Sequence, residues 1–219
     1  MSDSLVGVGV VACVAVTLLV VVLALVGARG QRRRRERMRV WGERNGWTYS
    51  HRPGVDWGRH LPGGNRNGVE DLFTAVIDGR RVNVGEYSVT DAATENVQNT
   101  HFWVVSAAAL GRPLPAARLE PRGAGSRIKQ KMLGPGATAT GHPEFDRRFR
   151  IETDMPAVVG RWFSAPLILA QLNGQAPPSW SVYGTELLCH RPGRLDLNEI
   201  SAHAASVVAL AYALETGSD

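Results

Sequence analysis

Few residues of this chain have the type and spacing that covalent chemistry needs. A cysteine stands beside a histidine at Cys189-His190, and a nucleophilic thiolate requires a base within hydrogen-bond reach. Adjacent residues of a strand point to opposite faces of a sheet, so we interpret this pair as a structural cysteine next to an unrelated histidine. The chain contains no HExxH, GxSxG, P-loop or paired CxxC sequence, which are the short motifs with a known catalytic or phosphate-binding geometry.

Histidines offer a weaker hint of a metal site. His51 and His60 flank a loop that also holds Asp56, and His101 or His142 could approach them in the fold. Zinc sites usually show more closely spaced ligand pairs, so this spacing favours separate roles. We expect no catalytic residue, metal or cofactor, and the roles of Cys189 and these histidines stay open.

A second cationic cluster, in "EFDRRFRIE" (residues 144–152), alternates arginines with acids. Arginine clusters can grip phosphate or carboxylate groups through paired N–H donors. With an acid on either side, the pattern favours local ion pairs over a ligand site.

The opening of the chain is a long apolar segment. Leu5 to Val26 contains no charge in 22 residues, and a helix of that length spans roughly 33 Å, against about 30 Å for the bilayer core. Val26-Gly27-Ala28 resembles a signal-peptide cleavage site. However, the apolar segment is longer than the core of a signal peptide, and the residues before it, "MSDS", lack a basic side chain. The segment therefore predicts a transmembrane anchor over residues 1–28.

Seven arginines follow this segment and predict its orientation. They are Arg29, Arg32, Arg33, Arg34, Arg35, Arg37 and Arg39. Cationic flanks stay on the cytoplasmic side of a span, which places the N-terminus outside and the rest of the chain in the cytoplasm, at the cell membrane. The same side chains are predicted to contact anionic lipid headgroups. We expect residues 29–46 to continue as an exposed helix that ends near Asn45-Gly46, because glycine accepts the left-handed conformation.

Net charge argues against nucleic acid as a partner. The chain carries a formal +5, yet residues 40–219 hold 18 basic and 18 acidic side chains. A nucleic-acid-binding domain is expected to present a basic surface of its own. The two cysteines, Cys13 and Cys189, lie on either side of the predicted membrane boundary and cannot form a disulfide within one chain.

Residues 47–219 are long enough for one folded domain. β-prone runs predict strands, and Asp78-Gly79 is the pair favoured in tight hairpins. The predicted strands are 47–49, 71–77, 81–89, 100–110 with a break at "GRPLP", 117–120, 180–183 and 186–190, the last two joined by a turn at Gly184. Gly85 is predicted to mark a bulge or a close backbone approach. Polar or glycine-rich loops are predicted at 50–67, 90–98 and 121–141.

Helices are predicted in the second half of the chain. Asp154 is predicted to cap a helix with Pro156 in its first turn, and 165–172 to form a second helix ended by Asn173-Gly174. Residues 197–214 form an amphipathic pattern, preceded by an approximate capping box at Asp196 and Glu199. The fold class is therefore α+β: a single transmembrane helix followed by an antiparallel sheet packed on two or three helices.

This order of elements resembles a known group. A basic run after an N-terminal span, then "VWGERNGWTY", "IDGRRVNV", "FWVVSAAALGRPLP", "FDRRFRI" and a C-terminal amphipathic helix are similar to uncharacterised actinobacterial single-pass membrane proteins. The resemblance implies the same topology. It implies no activity, because none is attached to the group.

Two functional hypotheses from different classes remain. The first is a non-enzymatic interaction or scaffold domain tethered to the cytoplasmic face, with lipid and an unidentified protein as partners. The alternative is a membrane-tethered small-ligand sensor or enzyme with a site in the loops 50–67 and 121–141, since long loops beside a sheet carry such sites. A deep pocket where the histidines converge would favour the alternative, and an exposed apolar patch the first.

Overall fold

A single helix, α1 (Ser2–Arg44), runs through the apolar segment and the arginine run without a break. The structure, a computed structural model, describes residues 2–90, 99–122 and 137–217, and the side chains of 17–90, 99–122 and 139–217. At 1.5 Å per residue, α1 is about 65 Å long. It ends at Arg44, and Gly46 adopts a φ of 76° just beyond it, as predicted.

The described strands form one antiparallel sheet. They are β1 (Thr48–His51), β2 (Val69–Ile77), β3 (Arg80–Thr90), β4 (Thr100–Pro121), β5 (Ala137–Thr138), β6 (Phe149–Thr153) and β7 (Trp180–Pro192). The order is β1-β2-β3-β4-β6-β5, with β7 paired along the other edge of β4. Most of the predicted loops at 90–98 and 121–141 lie outside the described residues.

β4 is the central strand, and its length corrects two predictions. It continues through "GRPLP" instead of breaking there, so 100–110 and 117–120 belong to one 22-residue strand. Its first half pairs with β3, its second half pairs with β6, and β7 pairs with both halves. Gly184 (φ 61°) is therefore not a turn: it lies opposite Leu114, between two register shifts that bend both strands.

The β2–β3 hairpin forms as predicted. Asp78 and Gly79 adopt φ values of 51° and 76°, the two positive values that a type I′ turn requires. Gly85 also has the predicted role: a Cβ at this position would lie 2.6 Å from the backbone oxygen of Asp71 on β2.

The remaining helices are α2 (Pro143–Arg148), between β5 and β6, α3 (Pro156–Val159) and α4 (Ala165–Leu172), between β6 and β7, and α5 (Ile200–Gly217), after β7. Two capping predictions need correction. Met155, not Asp154, is the N-cap of α3 and makes no side-chain cap bond. Asp196 caps a 3-10 turn (Leu197–Glu199) through the Asn198 N–H, and α5 begins after that turn. α4 ends at Asn173-Gly174 as predicted.

The main core lies on one face of the sheet, under α4, α5 and the last turns of α1. The predicted inward face of α5 is buried: Ile200, Val207, Val208, Ala211 and Leu214. The end of α5 is fixed by an ion pair between Arg80 and Glu215, with the Arg80 guanidinium also 4.3 Å from the ring centroid of Tyr212.

A smaller core lies on the opposite face. There the 3-10 turns Asp56–His60 and Pro62–Gly64 cover part of the sheet. Leu61, which joins the two turns, is buried in one cluster with Leu72 and Tyr87 of the sheet. The sheet is thus enclosed by helices on one face and by an irregular segment on the other, and the observed class is α+β.

One described helical stretch, Leu197–Gly217, has the length and composition of a membrane span, although 39% of its apolar window is buried inside the domain. Its exposed positions carry mostly small or polar residues such as Ser201, Ala205 and Thr216, together with the larger Tyr212. This distribution is that of a core helix. The segment that we predicted to span begins among residues whose side chains are not described.

We expect Gly85→Ala to lower the free energy of unfolding by about 2 kcal/mol, because the added methyl group meets the backbone oxygen of Asp71, which cannot rotate away. Gly54→Ala is the matched control, since a Cβ there has open space around it, and it should change stability by less than about 0.5 kcal/mol. Denaturant unfolding of the detergent-solubilised chain, followed by tryptophan fluorescence, measures both. Equal stabilities would contradict the close approach.

Candidate functional site

The cysteine–histidine pair is not arranged as a nucleophile and base. Cys189 is buried in the main core opposite Ser106, and burial raises the pKa of its thiol. Burial, together with the charge of Arg118, lowers the pKa of His190 to about 4. At neutral pH the thiol is protonated and the imidazole uncharged, so this position lacks the reactive thiolate.

The four histidines considered as ligands lie in separate surroundings. His51 Nδ1 is 3.1 Å from Asp71, His60 stacks on Tyr183, His101 lies beside Trp103, and His142 caps α2 through the Phe145 N–H. Among the residues that the structure describes, no three side chains of His, Cys, Asp or Glu gather as metal ligands.

The arginine run divides into three sets. Arg34 reaches the domain, and Arg39 pairs with Glu36 and Glu43 along α1 itself. The remaining five are exposed and form no ion pair with a described residue: Arg29, Arg32, Arg33, Arg35 and Arg37. Membrane-surface contact by these side chains stays a prediction, and Arg34 has a second role that the sequence did not indicate.

One face of α1 is docked on the domain. Arg34, Met38 and Trp41 share this face at helical spacing. Met38 is 5% exposed, and the ring of Trp41 meets that of Phe73 edge-on at 5.3 Å. Both tryptophans near the predicted boundary therefore pack in the domain, since Trp47 is also buried.

Two carboxylates lie where this face meets the sheet. Asp71 of β2 and Glu86 of β3 are directly paired in register, and they are only 4% and 0% exposed. They occupy core-facing positions of their strands, in line with Phe73 and Val84. Burying a carboxylate costs several kcal/mol unless an opposite charge and hydrogen bonds compensate. The partners of Asp71 and Glu86 therefore decide whether these groups can stay charged inside the domain.

Asp71 is held by three side chains. Its Oδ1 accepts the Tyr49 hydroxyl at 2.6 Å and lies 3.1 Å from His51 Nδ1, while its Oδ2 is 3.4 Å from Arg34 Nη2. Burial and the Asp71 charge both raise the pKa of Tyr49, which therefore remains a hydrogen-bond donor at neutral pH.

Glu86 is held by two segments distant in the chain. Arg34 Nη2 of α1 and Arg194 Nη1 lie 3.4 and 3.3 Å from its Oε1, and the Leu195 N–H donates to its Oε2 at 3.1 Å. Arg194 also lies over the ring of Phe102, 3.6 Å from its centroid. Arg34 thus joins both carboxylates to α1, and Glu86 joins α1 to the segment before α5.

A cleft of about 430 Å³ opens on the other face of the sheet, between the first 3-10 turn and the strands. This volume lies within the range of small-ligand sites. Its lining comes from residues 55–60, the β2–β3 hairpin and β7: Val55, Asp56, Trp57, Arg59, His60, Thr74, Arg81, Asn83, Tyr183 and Glu186. It includes one of the two loops predicted for a ligand site, while 123–136 of the other lies outside the described residues.

His60 is the predicted histidine that lines this cleft. Its ring stacks on Tyr183 with centroids 3.8 Å apart, and burial and Arg59 lower its pKa. His51, His101 and His142 do not line the cleft, so the four histidines do not converge there.

Sequence reasoning missed Asp71 and Glu86, although a signal was present. In "EDLFTAVI" and "RRVNVGEY" a carboxylate falls in the same alternating set as apolar residues, and an acid on a core-facing position implies a cation nearby. The identity of that cation was not readable, because Arg34 and Arg194 are far away in the chain.

Comparison with known proteins gives little further information. No protein-family model and no curated protein matches the chain. One solved structure, the crystal structure of the mycobacterial trehalose monomycolate transport factor A, TtfA, is similar with a TM-score of 0.49 and 13% identity, covering 83% of this chain and 92% of that chain. At this identity and TM-score the similarity assigns no function.

We expect Arg34→Met to loosen α1 from the domain, because Asp71 and Glu86 lose the cation that bridges them. The free energy of unfolding should fall by about 1–2 kcal/mol, and amide hydrogen exchange should accelerate at residues 36–44. Arg33→Met removes an exposed arginine one position away and should leave both measurements unchanged. Equal exchange in the two variants would show that Arg34 does not hold the helix.

The low pKa of His190 predicts a pH dependence of stability. An unfolded histidine has a pKa of about 6.5, so between pH 6.5 and 4 the unfolded chain gains a proton that the folded chain excludes. Stability is therefore present above the unfolded pKa and is lost as the pH falls towards the folded pKa.

The free energy of unfolding of the wild type should fall between pH 7 and pH 4. In His190→Gln this fall should be smaller by about 2 kcal/mol. The figure is set below the full effect of the pKa shift because the imidazole ring keeps some exposure to solvent. Chemical denaturation at both pH values measures this difference. His101→Gln removes an exposed imidazole and should retain the wild-type decline. A decline that is unchanged in His190→Gln would show that the lowered pKa of His190 does not affect stability.

Proposed function

We propose that this chain is a single-span membrane protein whose cytoplasmic α+β domain acts as a binding module, without catalysis, at a fixed orientation to the membrane surface. The main support for this proposal is that α1 is one continuous helix. The same helix has large apolar side chains exposed at Leu18–Val26 and carries the docked face at Arg34, Met38 and Trp41.

The exposed stretch of α1 supports the anchor. Leu18, Leu19, Val20, Val21, Val22, Leu23, Leu25 and Val26 are each between 47% and 62% exposed. A helix that is apolar on all sides needs a protein core or a lipid environment around it. The five exposed arginines follow directly and suit the cytoplasmic headgroup region.

The docked face supports a fixed orientation. From Val26 to Arg34 the helix rises only about 12 Å, so the domain begins close to the headgroups. A flexible linker would let the domain sample many orientations, whereas a continuous helix held by ion pairs and aromatic packing restricts it. A partner suited to this arrangement lies in or at the same membrane.

Affinity capture from a detergent extract tests the proposal. The full chain should retain a reproducible membrane partner, and Arg34→Met should retain less of it because the orientation is lost. The double variant Leu18→Arg, Leu19→Arg should move largely to the soluble fraction, since each arginine near the centre of a span costs about 3 kcal/mol. Arg32→Gln is the control for a change outside the apolar stretch.

The proposal fails if the full chain yields no reproducible partner, or if the double variant stays in the membrane as fully as the wild type. A C-terminal reporter that is active only outside the cell tests the orientation separately. Activity of that reporter would show that the domain lies outside the cell, and it would leave the proposal of a membrane anchor unaffected.

A further inference from the structure

The direction in which α1 crosses the sheet follows from two contacts. Arg34 Nη2 lies 3.4 Å from Asp71, near the start of β2. Gly42, about two turns further along α1, lies against Trp47, since a Cβ on Gly42 would be 2.8 Å from the Trp47 carbonyl oxygen. The residue after Trp47 pairs with Thr74 of β2. From the first contact to the second, α1 rises about 12 Å and β2 advances about 10 Å, so α1 runs roughly along β2.

The opposite direction leads from the domain to the apolar stretch of α1. Val26 precedes Arg34 by about 12 Å of helix. On β3, which is antiparallel to β2, the same direction leads from Glu86 to Thr90, about 13 Å along the strand. Thr90 pairs with Thr100 at the start of β4. This end of the β3–β4 pair therefore reaches about the level at which the exposed apolar stretch of α1 ends.

Two exposed arginines stand at this end of the domain. Arg52 follows β1, and its N–H donates to the Glu70 carbonyl oxygen at 2.7 Å, near the start of β2. Arg66 belongs to the segment before β2, which is held to β3 by a 2.8 Å hydrogen bond from the Ser88 N–H to the Gly68 carbonyl oxygen. Both side chains are exposed, so their guanidinium groups are available to a partner outside the domain.

Arg194 adds a third guanidinium from the segment after β7. It lies 3.6 Å from the ring centroid of Phe102, and Phe102 pairs with Ser88. Its side chain is 57% exposed, although Nη1 contacts Glu86. A guanidinium presents five N–H donors, so this contact leaves others for a second acceptor.

Position, rather than net charge, indicates the partner. The chain between β3 and β4 carries Asp91 and Glu95, which offset the three arginines in a formal sum. The headgroup layer extends about 5–7 Å beyond the hydrocarbon core on each side, and the end of the β3–β4 pair lies at that level. Phospholipid headgroups, zwitterionic or anionic, contain a phosphate, which a guanidinium binds through paired N–H donors.

We propose that this end of the domain rests on the phospholipid headgroups of the bilayer that holds α1, and that its three arginines bind lipid phosphates. The contact surface comprises Arg52, 65–68, 88–90, 100–102 and Arg194. The inference rests on the proposed anchor, and it holds on whichever side of the membrane the domain lies. It places the β2–β3 hairpin at the end of the domain farthest from the lipid.

Fluorescence quenching in proteoliposomes tests this orientation. A fluorophore is attached to single cysteines of the full chain in a Cys13→Ala background, in which Cys189 is buried. Thr100→Cys places the label on the contact surface. Val76→Cys is the matched control, because Val76 is 73% exposed and lies about 30 Å away along the sheet. With a quencher on the lipid headgroups, the label at position 100 should lose most of its fluorescence and the label at position 76 should keep it.

A third label separates this inference from the anchor. Ala24→Cys lies in the apolar stretch of α1 and should be quenched by lipids that carry the quencher on their acyl chains. Quenching at position 24, together with equal headgroup quenching at positions 100 and 76, would overturn the orientation and leave the anchor in place. Absence of quenching at position 24 would overturn both.

The double variant Arg52→Gln, Arg66→Gln tests the phosphate contacts. It removes two of the three guanidinium groups at exposed positions, so headgroup quenching at position 100 should fall. Arg81→Gln changes an exposed arginine beside the β2–β3 hairpin and should leave the quenching as in the wild type. Undiminished quenching in the double variant would overturn the role of the arginines.

Discussion

The burial of two carboxylates at the end of an apolar sheet face is the constraint on which this architecture depends. Asp71 and Glu86 lie side by side on β2 and β3, where they cannot stay charged without cations and donors. Arg34 comes from α1, and Arg194 comes from the segment before α5. Satisfying this one pair therefore brings three parts of the chain together: the long N-terminal helix, the sheet and the start of the C-terminal helix.

The two faces of the sheet are covered in different ways. The helical face has apolar packing and compensated charges, and it determines how α1 meets the domain. The opposite face is covered by short 3-10 turns that leave a polar cleft open, with His60 and Glu186 incompletely satisfied. The docked face of α1 and the lining of the cleft therefore have no residue in common.

Local signals predicted the elements whose formation is local. The Asp78-Gly79 hairpin needs only two adjacent residues that tolerate positive φ, and the inward face of α5 follows from helical periodicity. The predictions for β4 and β7 were wrong because the continuity of these strands depends on their pairing with each other and not on local sequence. Prolines, Gly111 and Gly184 ordinarily end a strand, but here β4 and β7 pair with each other on both sides of the irregularity, so the strands bend together and continue.

The sequence by itself determined the α+β class, the end of α1 near Asn45-Gly46 and the position of the arginine run, because these follow from periodicity, turn chemistry and charge counts over short distances. Only the tertiary structure decided which arginine meets a carboxylate and which histidine lines a cleft. Arg34 and Glu86 are separated by 52 positions, and Arg194 and Glu86 by 108. Such pairs are set by strand register and helix docking, and no local pattern records them.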